Sequence, residues 1–270
     1  MANLIRHPAV AGRFYPLDST ALRAEVQAYL GNSRPGIPAL GCMVPHAGIM
    51  YSGHVAGSVF GELQIPQRVI VMCPNHTGYG QPLAIMSSGQ WETPIGCVEI
   101  DSELAKSLME RMPPLSEDAV AHGGEHAVEV ELPFLLMRNP RISFVPIALG
   151  TAQFETLAQL GNAIAGVVSS FADPILVIAS SDMNHYESDV ITRVKDHKAI
   201  AKILALDPLG LYEAVMREDI SMCGFGPAIS MLTAVKKMGA SKAELVRYAT
   251  SGDVSGDRAT VVGYAGIIVR

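Results

Sequence analysis

The chain has 270 residues, of which 49% are hydrophobic, and a formal net charge of −6 at pH 7. This length is enough for one large α/β domain or two small ones, and an acidic balance without a lysine or arginine cluster argues against a nucleic-acid partner. The first residues carry no apolar signal-peptide core, and no apolar run reaches the roughly 18 residues of a membrane-spanning helix. We therefore expect a cytoplasmic protein that does not bind membranes.

Short apolar runs alternate with stretches of helical periodicity along the chain. The predicted strands are 41–44, 69–73, 83–87, 96–100, 142–147, 174–179, 245–250 and 260–269. The predicted helices are 20–30, 53–63, 102–111, 127–137, 155–171, 189–205, 208–217 and 226–238. This alternation predicts an α/β fold with a mostly parallel central sheet flanked by helices. Segment 32–38 is rich in turn residues and predicts a short linker. Because no longer linker and no internal repeat occurs, we expect a single domain over residues 1–270.

Polar side chains follow three of the predicted strands at the point where each strand ends. His46 directly follows Pro45 after the first of these strands, His76 stands two residues after Pro74, which closes the second, and Asp182 and His185 follow the most apolar strand. Ligands of parallel sheets bind beyond the carboxyl ends of the strands. We therefore predict that His46 and His76 are two ligands of one metal. Asp182 either caps the next turn or orients a nearby imidazole.

Four further histidines lack this position at the end of a strand, and surface or helix-face roles are expected for them: His7, His54, His122 and His197.

The four cysteines are widely spaced and form no CxxC pair. Cys42 and Cys73 lie inside apolar strands and are expected in the core, and Cys97 is expected to be structural at a strand edge. Cys223 lies instead in a glycine- and proline-containing loop between two helices, where a thiol is either a ligand or a reactive group. Two imidazoles and one thiolate form a three-ligand set with an open position, which suits zinc, iron or reduced copper.

A polar loop before the fourth predicted helix supplies further candidates. Glu125 and His126 could form a second polar wall of the site. The spacing of Glu129 and Glu131 would place them on different faces of a helix, so we expect at most one of them to point inward. Near His46, Gly48 and Gly53 would let the backbone pass close to the metal.

Several motifs together resemble those of the Memo family, whose prokaryotic members are also called AmmeMemoRadiSam system protein B. They occur in the family's order and span nearly the whole chain. The motifs are Ala11-Gly-Arg-Phe-Tyr-Pro16, Val44-Pro-His-Ala-Gly48, Tyr51-Ser-Gly53, Pro74-Asn-His-Thr-Gly78, Glu125-His-Ala-Val-Glu-Val-Glu-Leu-Pro133, Ser180-Ser-Asp-Met-Asn-His185, and Cys223-Gly followed by Pro227.

The resemblance implies a fold similar to that of the class III extradiol dioxygenases, which hold non-haem iron(II) and open aromatic rings. It also implies that His46, His76 and Cys223 are the metal ligands. His185 stands at the place of the catalytic histidine of those dioxygenases, with Asp182 beside it. The dioxygenases use a glutamate where this chain has Cys223, and a thiolate changes the redox behaviour of iron and also suits copper or zinc.

Three hypotheses follow for the function. The first is a redox enzyme of the dioxygenase-like kind, in which iron(II), or else copper, acts on an unknown small substrate and His185 is the general base. The second is a zinc-dependent hydrolase with His185 or Glu125 as base. The third is a non-enzymatic module that holds a metal or binds a peptide. The residues expected to contact the small molecule or peptide are Tyr51, Glu125, His126, Arg13 and Tyr186.

Overall fold

The computed structural model describes residues 4–32 and 36–270, so part of the predicted linker at 32–38 lies outside the described residues. Its strands are β1 Ile5–Arg6, β2 Gly41–Val44, β3 Arg68–Pro74, β4 Leu83–Ile85, β5 Gln90–Thr93, β6 Gly96–Ile100, β7 Ser116–Glu117, β8 Ser143–Leu149, β9 Ile175–Ser180, β10 His185–Glu187, β11 Ala243–Thr250 and β12 Val261–Val269.

The helices complete the list of elements. They are α1 Ser19–Leu30, α2 Ile49–Glu62, α3 Ser102–Arg111, α4 Val120–Gly123, a 3₁₀ turn Glu129–Glu131, α5 Leu132–Arg138, α6 Phe154–Val168, α7 Asp189–Leu204, α8 Pro208–Arg217, α9 Phe225–Lys237 and α10 Gly252–Ser255. Within the described ranges, no helix is long and apolar enough to cross a membrane.

A sheet with the strand order β1-β5-β6-β8-β3-β9-β2-β12-β10 runs through the molecule. The five strands from β6 to β2 in this order are parallel, and antiparallel pairs occur at β5–β6 and around β12. The predicted mostly parallel central sheet flanked by helices is confirmed. The assignment of residues 1–270 to one domain stays a prediction.

Both faces of the central sheet are covered, which explains why its strands are continuously apolar. Alternate residues of β3 point to opposite faces. Ile70 and Met72 belong to the cluster under α3, α6, α7, α8 and α9, whereas Val69, Val71 and Cys73 belong to the cluster under α1, α2 and α5. Cys42 is buried like Cys73, as predicted, and Cys97 is exposed on β6.

Helix α2 begins four residues before its predicted start and includes Gly53. A Cβ atom at Gly53 would lie 2.6 Å from the ring of Tyr29 on α1. The glycine therefore allows α1 and α2 to pack closely, and the expectation that it lets the backbone approach a metal was wrong.

The predicted helix 127–137 is divided into the 3₁₀ turn and α5. Glu129 and Glu131 are both fully buried, so the expectation that at most one points inward was wrong. Glu129 is enclosed by the N-terminal segment, where it pairs with Arg6 and accepts a 2.5 Å hydrogen bond from Tyr15. Glu131 faces the end of β9 instead. Protein covers the turn on both sides, which a pattern of helical faces does not predict.

Candidate metal centre

Three neighbouring parallel strands end at the same edge of the sheet and carry the candidate site. Strand β9 lies between β2 and β3. His46 follows β2 and His76 follows β3, and the centroids of their rings are 5.1 Å apart. The side chain of Cys223 joins them, and one ligand atom from each of the three residues lies within 4.8 Å of the others. The fold therefore brings together the three residues that the sequence proposes as ligands.

Cys223 reaches this edge because the chain after it passes very close to β9. The main-chain N–H of Gly224 donates to Ser181 Oγ at 3.1 Å, and a Cβ atom at this glycine would lie 2.4 Å from the carbonyl oxygen of Ser180. Glycine alone fits there. The Sγ atom of Cys223 then accepts the N–H of Asp182 at 3.3 Å and lies 3.2 Å from His46 Nε2.

These distances fit a small metal ion with nitrogen and sulfur ligands. For zinc, bonds of about 2.0–2.1 Å to nitrogen and 2.3 Å to sulfur place the two ligand atoms of a tetrahedral site about 3.6 Å apart. The separation of 3.2 Å between Cys223 Sγ and His46 Nε2 is within a few tenths of an ångström of that edge. Since the set supplies three donors, a position remains for a small molecule.

His46 is held as a neutral imidazole. Its Nδ1 lies 2.9 Å from Ser180 Oγ, so Nε2 is the atom that faces Cys223. Its main-chain N–H donates to Asp182 Oδ1 at 2.8 Å. Burial, followed by the nearby histidines, holds the pKa of His46 well below its usual value. A neutral ring is the form that binds a metal.

His76 has a carboxylate partner instead of a hydroxyl. Its Nδ1–H donates to Glu125 Oε1 at 2.9 Å, and its main-chain N–H donates to Glu125 Oε2 at 2.6 Å. Burial raises the pKa of Glu125, but the hydrogen bond from His76 and those from backbone N–H groups outweigh it, so the pKa is lowered overall. Burial also lowers the pKa of His76, and Glu125 more than reverses this. This contact fixes the ring and leaves Nε2 available, as is usual for metal-binding histidines.

A third imidazole, His126, lies against the other two. Its ring stacks on His76 with centroids 4.7 Å apart and lies 5.5 Å from the ring of His46. Burial lowers the pKa of His126 to about 4. His126, Glu125 and His76 also meet the geometric condition for a metal-binding group, so two ligand sets share His76. The predicted polar wall of Glu125 and His126 thus lies beside the proposed ligands.

His185 is anchored to the loop that carries Cys223. Its Nδ1–H donates to the carbonyl oxygen of Ser221 at 2.8 Å, and its main-chain N–H donates to Ser221 Oγ at 2.7 Å. Nδ1 is therefore engaged, and Nε2 is the ring nitrogen that can face a substrate. Asp182 is buried and accepts backbone N–H groups of His46 and Ala47, and within the described ranges it forms no hydrogen bond with His185.

The remaining predicted contact residues lie further out. Tyr186 is 77% exposed and has a left-handed backbone with φ 61°, and Arg13 is exposed. Tyr51 is half-buried and packs in a small cluster with Tyr264. In the described ranges no hydrogen bond joins these side chains to the three ligand residues. They belong to the surroundings of the site and not to its centre.

A cleft of about 330 Å³ opens directly onto the candidate ligands. It is lined by His76 and Cys223 together with Asn75, Thr151 and Phe225. Thr151 follows strand β8 and Phe225 begins α9. A small molecule in this cleft would reach the open side of the ligand set.

Comparison with known proteins places the chain in a family. The family described as Memo-like protein matches residues 6–268. The chain belongs to the Memo family. A MEMO1 family protein of Methanosarcina barkeri is 44% identical over 98% of this chain and 100% of its own length, and one of Methanopyrus kandleri is 43% identical over 98% and 99%. The resemblance inferred from the motifs is therefore confirmed.

A solved structure shares the fold of this Memo-family chain. The crystal structure of an uncharacterised protein from Escherichia coli K12 aligns with a TM-score of 0.59 over 83% of this chain and 98% of that one, at 14% sequence identity. This likeness concerns the fold alone. The assignment to a dioxygenase-like class stays a prediction.

Several residues of the site were missed by the sequence analysis. Ser180 and Ser221 contact ring nitrogens of His46 and His185, and Glu131 contacts Ser180. No pattern of spacing distinguishes these residues from ordinary serines and glutamates. The cleft residues Thr151 and Phe225 were also missed. One signal was available for Thr151, because it follows the end of the strand next to β3.

His122 was expected at a surface or on a helix face; it lies in the short helix α4, and the expectation of a surface position was wrong. It is fully buried, with its ring centroid 5.7 Å from that of Trp91. Neither of its ring nitrogens has a hydrogen-bond partner among the described residues.

Proposed function

We propose that this Memo-family protein is a metal-dependent redox enzyme, similar to the dioxygenases, that acts on a small substrate. The observation that carries the proposal is the convergence of His46 Nε2, a nitrogen of His76 and Cys223 Sγ, all within 4.8 Å of one another, with His76 and Cys223 lining a cleft. Non-haem iron(II) is the first choice of metal, and the same two nitrogens and one sulfur also suit copper or zinc. When bound, iron(II) would supply electrons for reactions with O2.

The protein side chains would position the reactants and move a proton. His185 holds its Nδ1–H on Ser221, so its Nε2 is free to accept a proton from the substrate as a general base. Asp182 fixes the loop of His46 through two backbone N–H groups. Glu125 keeps His76 in the tautomer whose Nε2 can ligate.

The substrate would occupy the cleft between the ends of β3 and β8 and the start of α9. His126 closes the site beside both histidine ligands, and its low pKa keeps its ring uncharged at neutral pH. Tyr51, Tyr186 and Arg13 lie where the outer part of a larger substrate or a peptide would pass.

The first test is the metal content of protein purified without chelators or nickel resin. We expect stoichiometric metal in the wild type and its loss in Cys223→Ser, with Cys97→Ser as the control because that thiol is exposed on β6. Full metal content in Cys223→Ser would remove this thiol from the ligand set.

The second test addresses the chemistry. Protein loaded anaerobically with iron(II) is exposed to O2 together with catechols or small reductants, and oxygen consumption is recorded. We expect consumption in the wild type and its loss in His185→Gln. Zinc at full occupancy combined with no oxygen consumption would refute the redox function and favour metal-assisted hydrolysis.

A further inference from the structure

Glu131 lies directly behind the candidate ligand His46 and is fully buried at the end of the 3₁₀ turn. Its Oε1 is 3.0 Å from Ser180 Oγ, whereas its Oε2 has no hydrogen-bond partner among the described residues. In the same ranges no lysine, arginine or histidine forms an ion pair with it. An ionised carboxylate in such surroundings would be a buried, uncompensated charge, which is strongly disfavoured.

The hydrogen bonds around Ser180 define which group carries each proton. The Oγ atom has three neighbours: the carbonyl oxygen of Ala127 at 2.9 Å, His46 Nδ1 at 2.9 Å and Glu131 Oε1 at 3.0 Å. A serine hydroxyl has one proton to donate and two lone pairs to accept with. The carbonyl of Ala127 can only accept, so the hydroxyl proton points to it. The other two neighbours must then be donors.

We propose that Glu131 is a positioning residue of the metal centre: as a neutral carboxylic acid, it donates to Ser180 Oγ and thereby holds His46 with its proton on Nδ1 and its Nε2 free to ligate. This inference rests on the proposed function in one respect, namely that His46 is a ligand. The protonation of Glu131 and the tautomer of His46 can both be measured without metal.

The electrostatic surroundings of Glu131 agree with this assignment. Burial raises the pKa of Glu131 well above its usual value, and the charge of Asp182 acts in the same direction. A hydroxyl proton donated by Ser180 would lower this pKa, but that proton points to the carbonyl oxygen of Ala127. Both effects favour the neutral carboxyl group that the hydrogen bonds around Ser180 call for.

The two proposed histidine ligands consequently have different partners. Glu125 accepts the Nδ1–H of His76 and several backbone N–H groups, so it is ionised and makes His76 the more electron-rich ligand. His46 donates instead to a neutral serine that is supported by a neutral acid. A second carboxylate behind His46 would add negative charge to a site that already contains the carboxylate of Glu125 and that gains a thiolate when Cys223 binds metal.

Two substitutions of Glu131 distinguish the loss of its hydrogen-bond donor from the loss of its carboxyl group. Glu131→Gln keeps a donor at the right length, because its amide NH₂ can replace the acid proton, whereas Glu131→Met keeps the length and removes the donor. In the metal-free protein we expect the infrared C=O band of a protonated carboxyl in the wild type and its absence in Glu131→Gln. We also expect the ¹⁵N NMR signals of His46 to show the Nδ1–H tautomer in both, and a tautomer mixture in Glu131→Met.

Metal affinity gives the functional measurement, with cobalt(II) as a spectroscopic probe in competition titrations. Glu131→Gln should bind within about twofold of the wild type, and Glu131→Met and Ser180→Ala should each bind about 10–100-fold more weakly, as for other partners of metal-binding histidines. Because Glu131 acts through Ser180, adding Glu131→Met to Ser180→Ala should cost little more.

Two results would overturn the inference. One is a wild-type protein without the protonated-carboxyl band, and the other is a Glu131→Gln variant that loses metal as strongly as Glu131→Met. Failure of the wild type to bind any metal would instead contradict the proposed function, and the infrared and NMR measurements on metal-free protein would still decide the inference.

Discussion

Replacing Gly224 with alanine tests whether close backbone contact positions the third proposed ligand. The added Cβ would lie 2.4 Å from the carbonyl oxygen of Ser180, 2.4 Å from Ser181 Cβ and 2.6 Å from Ser181 Oγ. The carbonyl oxygen belongs to Ser180, the last residue of a buried strand, and the Cβ atom of Ser181 is bonded directly to the backbone. Neither atom can therefore move aside. The loop that carries Cys223 has to move instead.

The size of that movement follows from the contact distances. Real Cβ contacts essentially never fall under 3.0 Å and become ordinary at 3.4 Å, so the loop must withdraw by about 0.6–1 Å from its separation of 2.4 Å. Metal–ligand distances tolerate only about 0.2 Å. The displacement would therefore break the bond to Cys223 Sγ. We expect metal affinity to fall about as far as in Cys223→Ser, together with a loss of stability of about 1–3 kcal/mol from overpacking.

The assay is a cobalt(II) titration that follows the thiolate-to-metal absorption, with urea unfolding measured in parallel. Gly123→Ala is the matched control, because its Cβ would meet nothing within 4 Å and its φ is not positive. We expect that control to bind and unfold like the wild type. A Gly224→Ala protein that is folded, binds with wild-type affinity and shows the same thiolate absorption would refute the reasoning.

Two further predictions concern pH. Burial, followed by the charge of Asp182, raises the pKa of Cys223 well above its usual value, so binding must displace the thiol proton and affinity should rise about tenfold per unit between pH 7 and 8 in competition titrations; a flat profile would contradict thiolate ligation. Burial lowers the pKa of His122 from 6.5 to about 4, so the stability that its neutral form contributes is present above pH 6.5 and is lost as pH falls toward 4. Its share is on the order of 3 kcal/mol, and urea unfolding at pH 7 and 4.5 should show a smaller acid loss in His122→Phe than in the wild type. An equal loss would contradict this account.

The fold class could be predicted because the sequence alternates between two clear patterns. The run 174–179 is apolar at every position, and β9 is buried on both faces. For residues 127–137 the helical pattern was misleading, because the burial of its two glutamates depends on distant parts of the chain. Glu129 binds partners from the N-terminal segment and Oε1 of Glu131 contacts Ser180 at the end of β9, and helical periodicity carries no information about such distant contacts.

The three proposed ligands could be predicted from the sequence, whereas most side chains that form hydrogen bonds with them could not. His46 and His76 occupy equivalent positions after two strands, and Cys223 stands out by its loop. Their supporting contacts span long stretches of sequence, 134 residues from His46 to Ser180 and 49 from His76 to Glu125. A serine or a glutamate that supports a ligand looks in sequence like any other. Only the order of the strands brings these groups together.

Strand β9 positions the residues of the candidate metal centre, although it contributes none of the three proposed ligands. It lies between the strands that deliver the two histidines, and its last residue and the two residues after it contact His46 and the loop of Cys223. Ser180 holds His46 Nδ1, Ser181 receives the backbone after Cys223, and Asp182 binds both the N–H of His46 and, through its own N–H, the sulfur. Because one continuous segment makes all four of these contacts, changes within it should disturb the whole centre, whereas loss of one ligand removes one bond.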